Sequence, residues 1–416
     1  MPIERTPGAG AGRRGGQHVV VVGGGLVGLA TAYKLAGAAP GLTLTLLEKE
    51  REVAQHQSGH NSGVLHAGLY YQPGSAKARL AVAGIREMTA FCRTHGIRHE
   101  ICGKLVVAAE ATELPRLHAL HERGRRNGLA GLDVLDVPRM REIEPHVGGV
   151  AALRVPEEGI VDYPQVARTL STLLEDAGVR VVTDARVERF VREGSGWIVE
   201  STAGDVPAAF VVTCGGLHAD RLARLAGDPC DVTIVPFRGE YHTLRPEREH
   251  LARHLIYPVP DPSFPFLGVH FTRLIGGGVE AGPNAVLALS REGYRKADVS
   301  LRDAWETLRY PGLRRFVRRY PRVTAHEVVR SFSRRRFAAS LRRLVPEVTA
   351  SDLRPGGAGV RAQAMRPDGS LVEDFYFIGG PASLHVVNAP SPAATASLAI
   401  GGEVAARVLE RMSAGV

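Results

Sequence analysis

Apolar positions change period along the chain, and each change marks an element. His18 to Val22 is a short run of β-branched residues, Gly23 to Gly28 a glycine turn, and Leu29 to Ala36 a helix-forming stretch. Leu42 to Leu47 then reads as a second strand, so the chain opens with a β-α-β unit. From Lys77 to His95, Leu80, Val82, Ala83, Ile85, Met88, Phe91 and Cys92 recur at helical spacing, and Gly96 supplies the stop. Lys104 to Ala109 predicts a strand and Glu113 to Asn127 a helix ended by Gly128. Tyr163 to Ala177 predicts another helix, followed by strands over Val179 to Thr183, Val187 to Val191 and Trp197 to Glu200.

The run Ala208 to Cys214 is apolar throughout, as expected of a strand covered on both faces, and predicts re-entry into the first sheet. Between Asp231 and Asn284 the texture turns β-rich with many Pro and Gly, which fits an antiparallel sheet of a second domain roofing a substrate. Phe375 to Gly380 and Asn388 to Ile400 read as strand, loop and Ala-rich helix. The predicted class is α/β. A discontinuous Rossmann-like nucleotide-binding domain is expected over 18–98, 150–228 and 350–416, a substrate domain over 99–149 and 229–349, and a disordered tail over 1–17.

A length of 416 residues fits two intertwined domains better than one core. No run of about 18 uncharged apolar residues occurs, which excludes a transmembrane helix. The Gly- and Arg-rich N-terminus lacks the apolar stretch of a signal peptide, so the expected compartment is the cytoplasm. Cys92, Cys102, Cys214 and Cys230 form no C-x-x-C pair, and buried, reduced thiols are expected rather than disulfides or zinc. His95 and His99 are separated by the helix-breaking Gly96, and His118 and His121 lack carboxylate or thiol support, so no metal is expected.

The net charge of +9 comes largely from arginine and suits acidic small molecules, anionic membranes or nucleic acid alike. Arg302 to Arg343 is the densest stretch, with Phe316, Val317, Phe332, Phe337 and Leu341 set between arginines at helical spacing. It predicts amphipathic helices whose charged face is either solvated surface or a peripheral contact with the inner face of the cell membrane. The stretch carries few aromatics and no nucleic-acid-binding motif, so no nucleic-acid partner is expected.

Gly23-x-Gly25-x-x-Gly28 follows a strand and opens a helix, the context in which a glycine pattern signals a dinucleotide. Gly23 permits the tight turn, Gly25 lets the backbone approach a pyrophosphate, and Gly28 lets helix and sheet pack closely. Glu48, at the end of the second strand, is placed to accept hydrogen bonds from ribose hydroxyls, with Lys49 beside it and Val187 as a further cofactor contact. No second glycine fingerprint for NAD(P)H follows in mid-chain. The loop Gln57 to Tyr71, dense in Gly, Ser and Asn, is too polar for a core strand and suits backbone contact with phosphate and flavin through Ser58, His60, Asn61, Ser62 and Gly63. These features favour FAD.

At these residues the sequence resembles the FAD-dependent L-2-hydroxyglutarate oxidases or dehydrogenases, within the D-amino-acid-oxidase-like class. The resemblance is carried by Gly59 to Tyr71, Pro236 to Tyr241, His254 to Thr272, Gly282 to Val286, Gly359 to Ala364 and Asn388 to Thr395, and covers all but the termini. Thr213-Cys214-Gly215-Gly216 resembles the second flavin-contact strand of FAD oxidoreductases, which places Gly215 at the cofactor. The resemblance implies that Asn388, Pro390, Ser391, Pro392 and Ala393 wrap the flavin pyrimidine edge at the start of a helix.

It also implies a dicarboxylate 2-hydroxy acid as substrate, which needs positive clamps and a base. Arg238 and Arg361 are the candidate clamps, because the guanidinium fork donates two parallel hydrogen bonds to a carboxylate. Tyr71, Tyr241 and Tyr257 are candidate hydroxyl donors, and His270, then His66, candidate bases. Related amine-oxidising enzymes bond a loop histidine to the flavin, but the residues before His60 depart from that pattern, so the expected FAD is non-covalent. An amine or amino-acid oxidase is the alternative chemistry, and oxygen or a membrane quinone the electron acceptor.

Overall fold

The computed structural model describes residues 17–261 and 267–414. The expected tail over 1–17 falls almost wholly outside them, as do residues 262–266 of the His254–Thr272 match.

A six-stranded sheet organises the first domain, in the order Tyr376–Ile378, Ser383–Asn388, Phe210–Thr213, His18–Val22, Thr43–Leu47, Arg180–Val182. All neighbours are parallel except the first pair. The run HVVVV is apolar without alternation because both faces of this strand are covered. Val19 and Val21 join the core beneath the helices, whereas Val20 and Val22 meet Trp197, Val199 and Val206 on the opposite face. Those residues come from the antiparallel meander Val187–Glu193, Gly196–Ser201 and Gly204–Ala208. On the helical side, Leu26–Ala38 packs against Tyr163–Asp176 and Ser397–Ala414, and the last of these against Ala76–Thr94.

The second sheet runs Val286–Leu287, Thr233–Leu244, Val279–Gly282, His270–Arg273, Leu255–Pro258, Lys104–Ala108, Ala151–Val155, Asp133–Leu135, with Leu353–Met365 also paired along Thr233–Leu244. It is mixed rather than purely antiparallel, because Leu255–Pro258 runs parallel to Lys104–Ala108. Ala151–Val155 and Leu353–Met365 belong to this sheet, so 150 and 350 are not the boundaries at which the chain changes domain. Neither segment carries a sequence signal for the sheet it joins, since strand pairing is set by partners distant in the chain.

Alternation divides this sheet into a packing face and a working face. Ile256, Phe271 and Ala281 join a core with Phe337 and Leu341, so Tyr257, His270 and Thr272 point the other way. The Arg-rich segment forms four helices, Leu301–Arg309, Pro311–Arg319, Pro321–Phe332 and Arg334–Leu341. All four cysteines are free; Cys92 is buried, whereas Cys102, Cys214 and Cys230 are partly exposed, which corrects the expectation of four buried thiols.

Candidate active site

A cavity of about 1700 Å³ runs between the sheets, long enough to take a dinucleotide at one end and a small acid at the other. At the nucleotide end, Gly23 has φ +111°, and a Cβ there would lie 2.5 Å from the carbonyl oxygen of Cys214. A Cβ on Gly28 would lie 1.9 Å from the carbonyl oxygen of Gly23, so this glycine serves helix–sheet packing and does not line the cavity. Gly25 caps helix Leu26–Ala38 without a side-chain bond, and the first turn holds no acid. Ser58 Oγ accepts from Leu26 N at 3.0 Å, and the other first-turn amides, which have no intrahelical partner, form the kind of site that binds an anion. Glu48 is fixed at the rim by Gly24 N, 2.6 Å from Oε2, and Glu50 N, 2.9 Å from Oε1. A tight turn at Gly23, a helix start whose own cap residue supplies no side-chain bond and an oriented carboxylate fit the pyrophosphate and ribose of FAD.

Lys49, His60, Ser62, Val187, Gly215, Pro390, Ser391, Pro392 and Ala393 also line the cavity. Lys49 Nζ lies 2.8 Å from Glu292 and 2.9 Å from His56 Nε2. Glu50, His56 and Glu292 bring possible ligand atoms within 4.8 Å of one another, but this ammonium already supplies the positive charge among them. Asn61 lines the cavity and shapes its own loop, donating to the carbonyls of Gln57 and Ser58 at 3.0 and 2.8 Å and accepting from Gly63 N at 2.9 Å. Gly63, at φ +67°, turns the chain against Val161 and stays off the cavity.

Asn388 departs from its expected role: it is 1% exposed, and its amide donates to the carbonyls of Val372 and Asp374 at 2.9 and 2.8 Å. It ties down the flavin-side loop without facing the cavity. The helix after that loop begins only at Ser397, because residues 391–396 form turns first.

At the substrate end, Tyr71, Tyr241, Tyr257, His66, His270 and Arg361 share the cavity wall. Arg238 does not. Glu240, two residues on and therefore on the same face of the strand, takes its Nε at 3.2 Å and Nη2 at 3.0 Å, and the carbonyl of Arg295 takes Nη1 at 3.1 Å. The expected pair of arginine clamps reduces to Arg361.

His270 stacks on Tyr257 with centroids 3.8 Å apart and donates from Nδ1 to the carbonyl of Gly268 at 2.9 Å. Burial pulls its imidazole down to about 3, with a smaller opposing effect of that carbonyl. His66 Nδ1 instead lies 3.4 Å from Glu158 Oε2, and Glu158 Oε2 lies 2.6 Å from Lys104 Nζ. Burial would push the Glu158 carboxyl up, but Lys104 and His66 outweigh it and hold it at about 2.

Glu158, Lys104, Tyr70 and Lys77 are the residues that sequence reasoning missed. Lys104 carried a signal: it stands in KLVVA, a strand buried at every position, where an ammonium needs a partner. Lys77 lines the cavity with its ammonium 4.7 Å from the Tyr71 ring, and burial pulls it down to about 8.

Residues 18–407 match the family described as FAD dependent oxidoreductase. The chain belongs to that family. The oxidoreductase is 46% identical over 395 residues to an L-2-hydroxyglutarate dehydrogenase of Indibacter alkaliphilus, covering 95% of this chain and 99% of that one. It is 43% identical over 390 residues to the Escherichia coli K12 protein of that name, covering 94% and 92%, and 44% identical over 410 residues to the human mitochondrial one, covering 94% and 89%. Among solved structures, an FAD-bound L-alpha-glycerophosphate oxidase from Mycoplasma pneumoniae superposes with a TM-score of 0.74 at 22% identity, covering 95% and 94%, which is a likeness of fold. FAD is the cofactor that both the cradle and the family indicate.

Proposed function

We propose that this oxidoreductase converts L-2-hydroxyglutarate to 2-oxoglutarate. The observation that carries the reading is the identity of 43–46% with L-2-hydroxyglutarate dehydrogenases over nearly the full length of both partners. FAD, held non-covalently, supplies the hydride acceptor. His60, whose ring stacks on Tyr294 at 4.0 Å, follows residues that depart from the pattern of flavin-bonding loops. Arg361 receives a substrate carboxylate, with Tyr71, Tyr241 and Tyr257 as hydroxyl partners.

His66 takes the hydroxyl proton, in preference to His270. A base held at about 3 binds protons too weakly to assist near neutral pH, and His66 has a carboxylate behind it to receive the positive charge. Anaerobic titration tests the reading: L-2-hydroxyglutarate bleaches the flavin stoichiometrically and amino acids leave it oxidised. Bleaching by an amino acid alone would make the protein an amino-acid oxidase.

The acceptor side rests on a different surface. Leu301, Trp305 and Leu308 are 85, 62 and 53% exposed at i, i+4, i+7 on one helix, and Phe332 with Val328 is exposed on another. Exposed Arg302, Arg309, Arg318, Arg319 and Arg335 accompany these apolar stripes. The combination fits helices lying in the interface of an anionic membrane, with a quinone as electron acceptor and no spanning segment. Among the described residues no helix is long and apolar enough to cross a membrane. In sedimentation, wild type follows phosphatidylglycerol vesicles, and a Trp305→Ser, Phe332→Ser variant loses at least tenfold in affinity while reducing a soluble dye at the wild-type rate. Equal sedimentation of the two proteins would remove this surface from the membrane.

A further inference from the structure

Behind His66 lies an enclosed ion pair, of which the chemistry above uses only the carboxylate's charge. Lys104 and Glu158 have side chains 0 and 1% exposed, from the strand Lys104–Ala108 and the turn before Gly159–Val161. Two charges withdrawn this far from water seldom stabilise a fold better than apolar side chains of the same size would. Their surroundings are specific. Lys104 Nζ sits 4.6 and 4.9 Å from the ring centroids of Tyr70 and Tyr257, and Ala67 N donates to Glu158 Oε1 at 3.2 Å.

The remaining carboxylate oxygen, Oε2, faces both the ammonium and His66 Nδ1. At 3.4 Å the imidazole contact is long for a hydrogen bond in the resting protein and short enough to tighten as positive charge develops on the ring. His66 Nδ1 is sealed from solvent although the side chain is 19% exposed, so the accessible edge of the ring is the one carrying Nε2.

We propose that Glu158, held as a carboxylate by Lys104, is a positioning residue that keeps the His66 proton on Nδ1 and presents Nε2 to the substrate hydroxyl. The inference rests on the reading of His66 as the base. When Nε2 receives the hydroxyl proton, the ring becomes an imidazolium facing a fixed anion. Lys104 keeps Glu158 too weak a base to take that proton onward. Among the described residues, Glu158, Lys104, Tyr257 and His270 stand nearest the ring, with Tyr70, Tyr71, Tyr241, Asp261 and Arg361 on the same cavity, and Glu158 is the carboxylate in contact with Nδ1.

Glu158→Gln tests this in the holoenzyme. The rate of flavin reduction is expected to fall about a hundredfold with little change in KM. The pH profile of that rate is expected to change as well, because the fixed anion beside the ring is gone. Since Glu158→Gln strands the Lys104 ammonium, a second variant, Glu158→Gln with Lys104→Met, replaces the pair by neutral groups of similar size. If the pair only supported the fold, this double variant would recover wild-type rate and profile, and the proposal would be overturned.

The readout independent of turnover is the 15N resonances of His66 in FAD-loaded protein, assigned by loss of signal in a His66→Asn variant. A single Nδ1–H tautomer is expected in wild type and a mixed or reversed one in Glu158→Gln. A wild-type ring with the proton on Nε2 would defeat the proposal whatever the substrate proves to be, whereas absence of bleaching by L-2-hydroxyglutarate would defeat only the functional reading.

Discussion

Flavin reduction by L-2-hydroxyglutarate is expected to slow about a thousandfold when His66 is replaced by asparagine, a loss within the usual range for a general base. Asparagine preserves a polar side chain of similar reach but cannot hold the hydroxyl proton as hydride leaves the carbon. FAD content should stay near one per chain, because the pyrophosphate cradle lies on Gly23, Gly25 and the first turn of the following helix. Stopped-flow reduction at saturating substrate separates this loss from weaker binding. Rate should return in part as pH rises, since hydroxide replaces the missing base. The companion His270→Asn change should cost much less in the limiting rate, because a ring held at about 3 stays neutral near pH 7 and takes up no second proton as substrate reacts. A His66→Asn enzyme within tenfold of wild type would move the base elsewhere.

Arg361→Met is expected to lower kcat/KM about a thousandfold, mostly through KM. Truncating one side of an enclosed charge pair costs about 2–5 kcal/mol, and each 1.4 kcal/mol is tenfold. Arg361→Lys should recover only part of the loss, since an ammonium cannot offer the parallel donors of the guanidinium. A monocarboxylate such as L-2-hydroxybutyrate identifies which end Arg361 holds. Equal losses for both substrates place it on the carboxylate next to the hydroxyl, and a loss confined to the dicarboxylate places it on the distal one. An unchanged KM would return Arg361 to a structural role.

The cofactor half of the site was legible because its chemistry is local. A tight turn, a close backbone approach and a helix start must follow one another along the chain, so Gly23, Gly25 and Gly28 reveal them without tertiary information. The substrate half is built from strands far apart in sequence, where a side chain's role depends on which face it occupies. Arg238 and Arg361 stand opposite neighbouring positions of paired strands, yet Glu240 claims the first and the second lines the cavity. Glu158 and Lys104 were missed for the same reason: their pairing exists only once strands Lys104–Ala108 and Ala151–Val155 lie side by side, so that the segment after Val155 closes over Lys104. The Arg-rich helices were predicted in kind, but their exposed apolar stripes needed the packing of four helices to be known.

The FAD cradle has a consequence for the order in which the molecule is made. Strand Ser383–Asn388 extends the sheet beside Phe210–Thr213, and helix Ser397–Ala414 covers it. That helix lies so near the first one that a Cβ on Gly401 would sit 2.6 Å from the carbonyl carbon of Ala30. The glycine turn leaves the ribosome well before the strand and helix that cover it. Cofactor loading must therefore await synthesis of helix Ser397–Ala414, and until then the nascent sheet carries an uncovered apolar face that chaperones are built to shield.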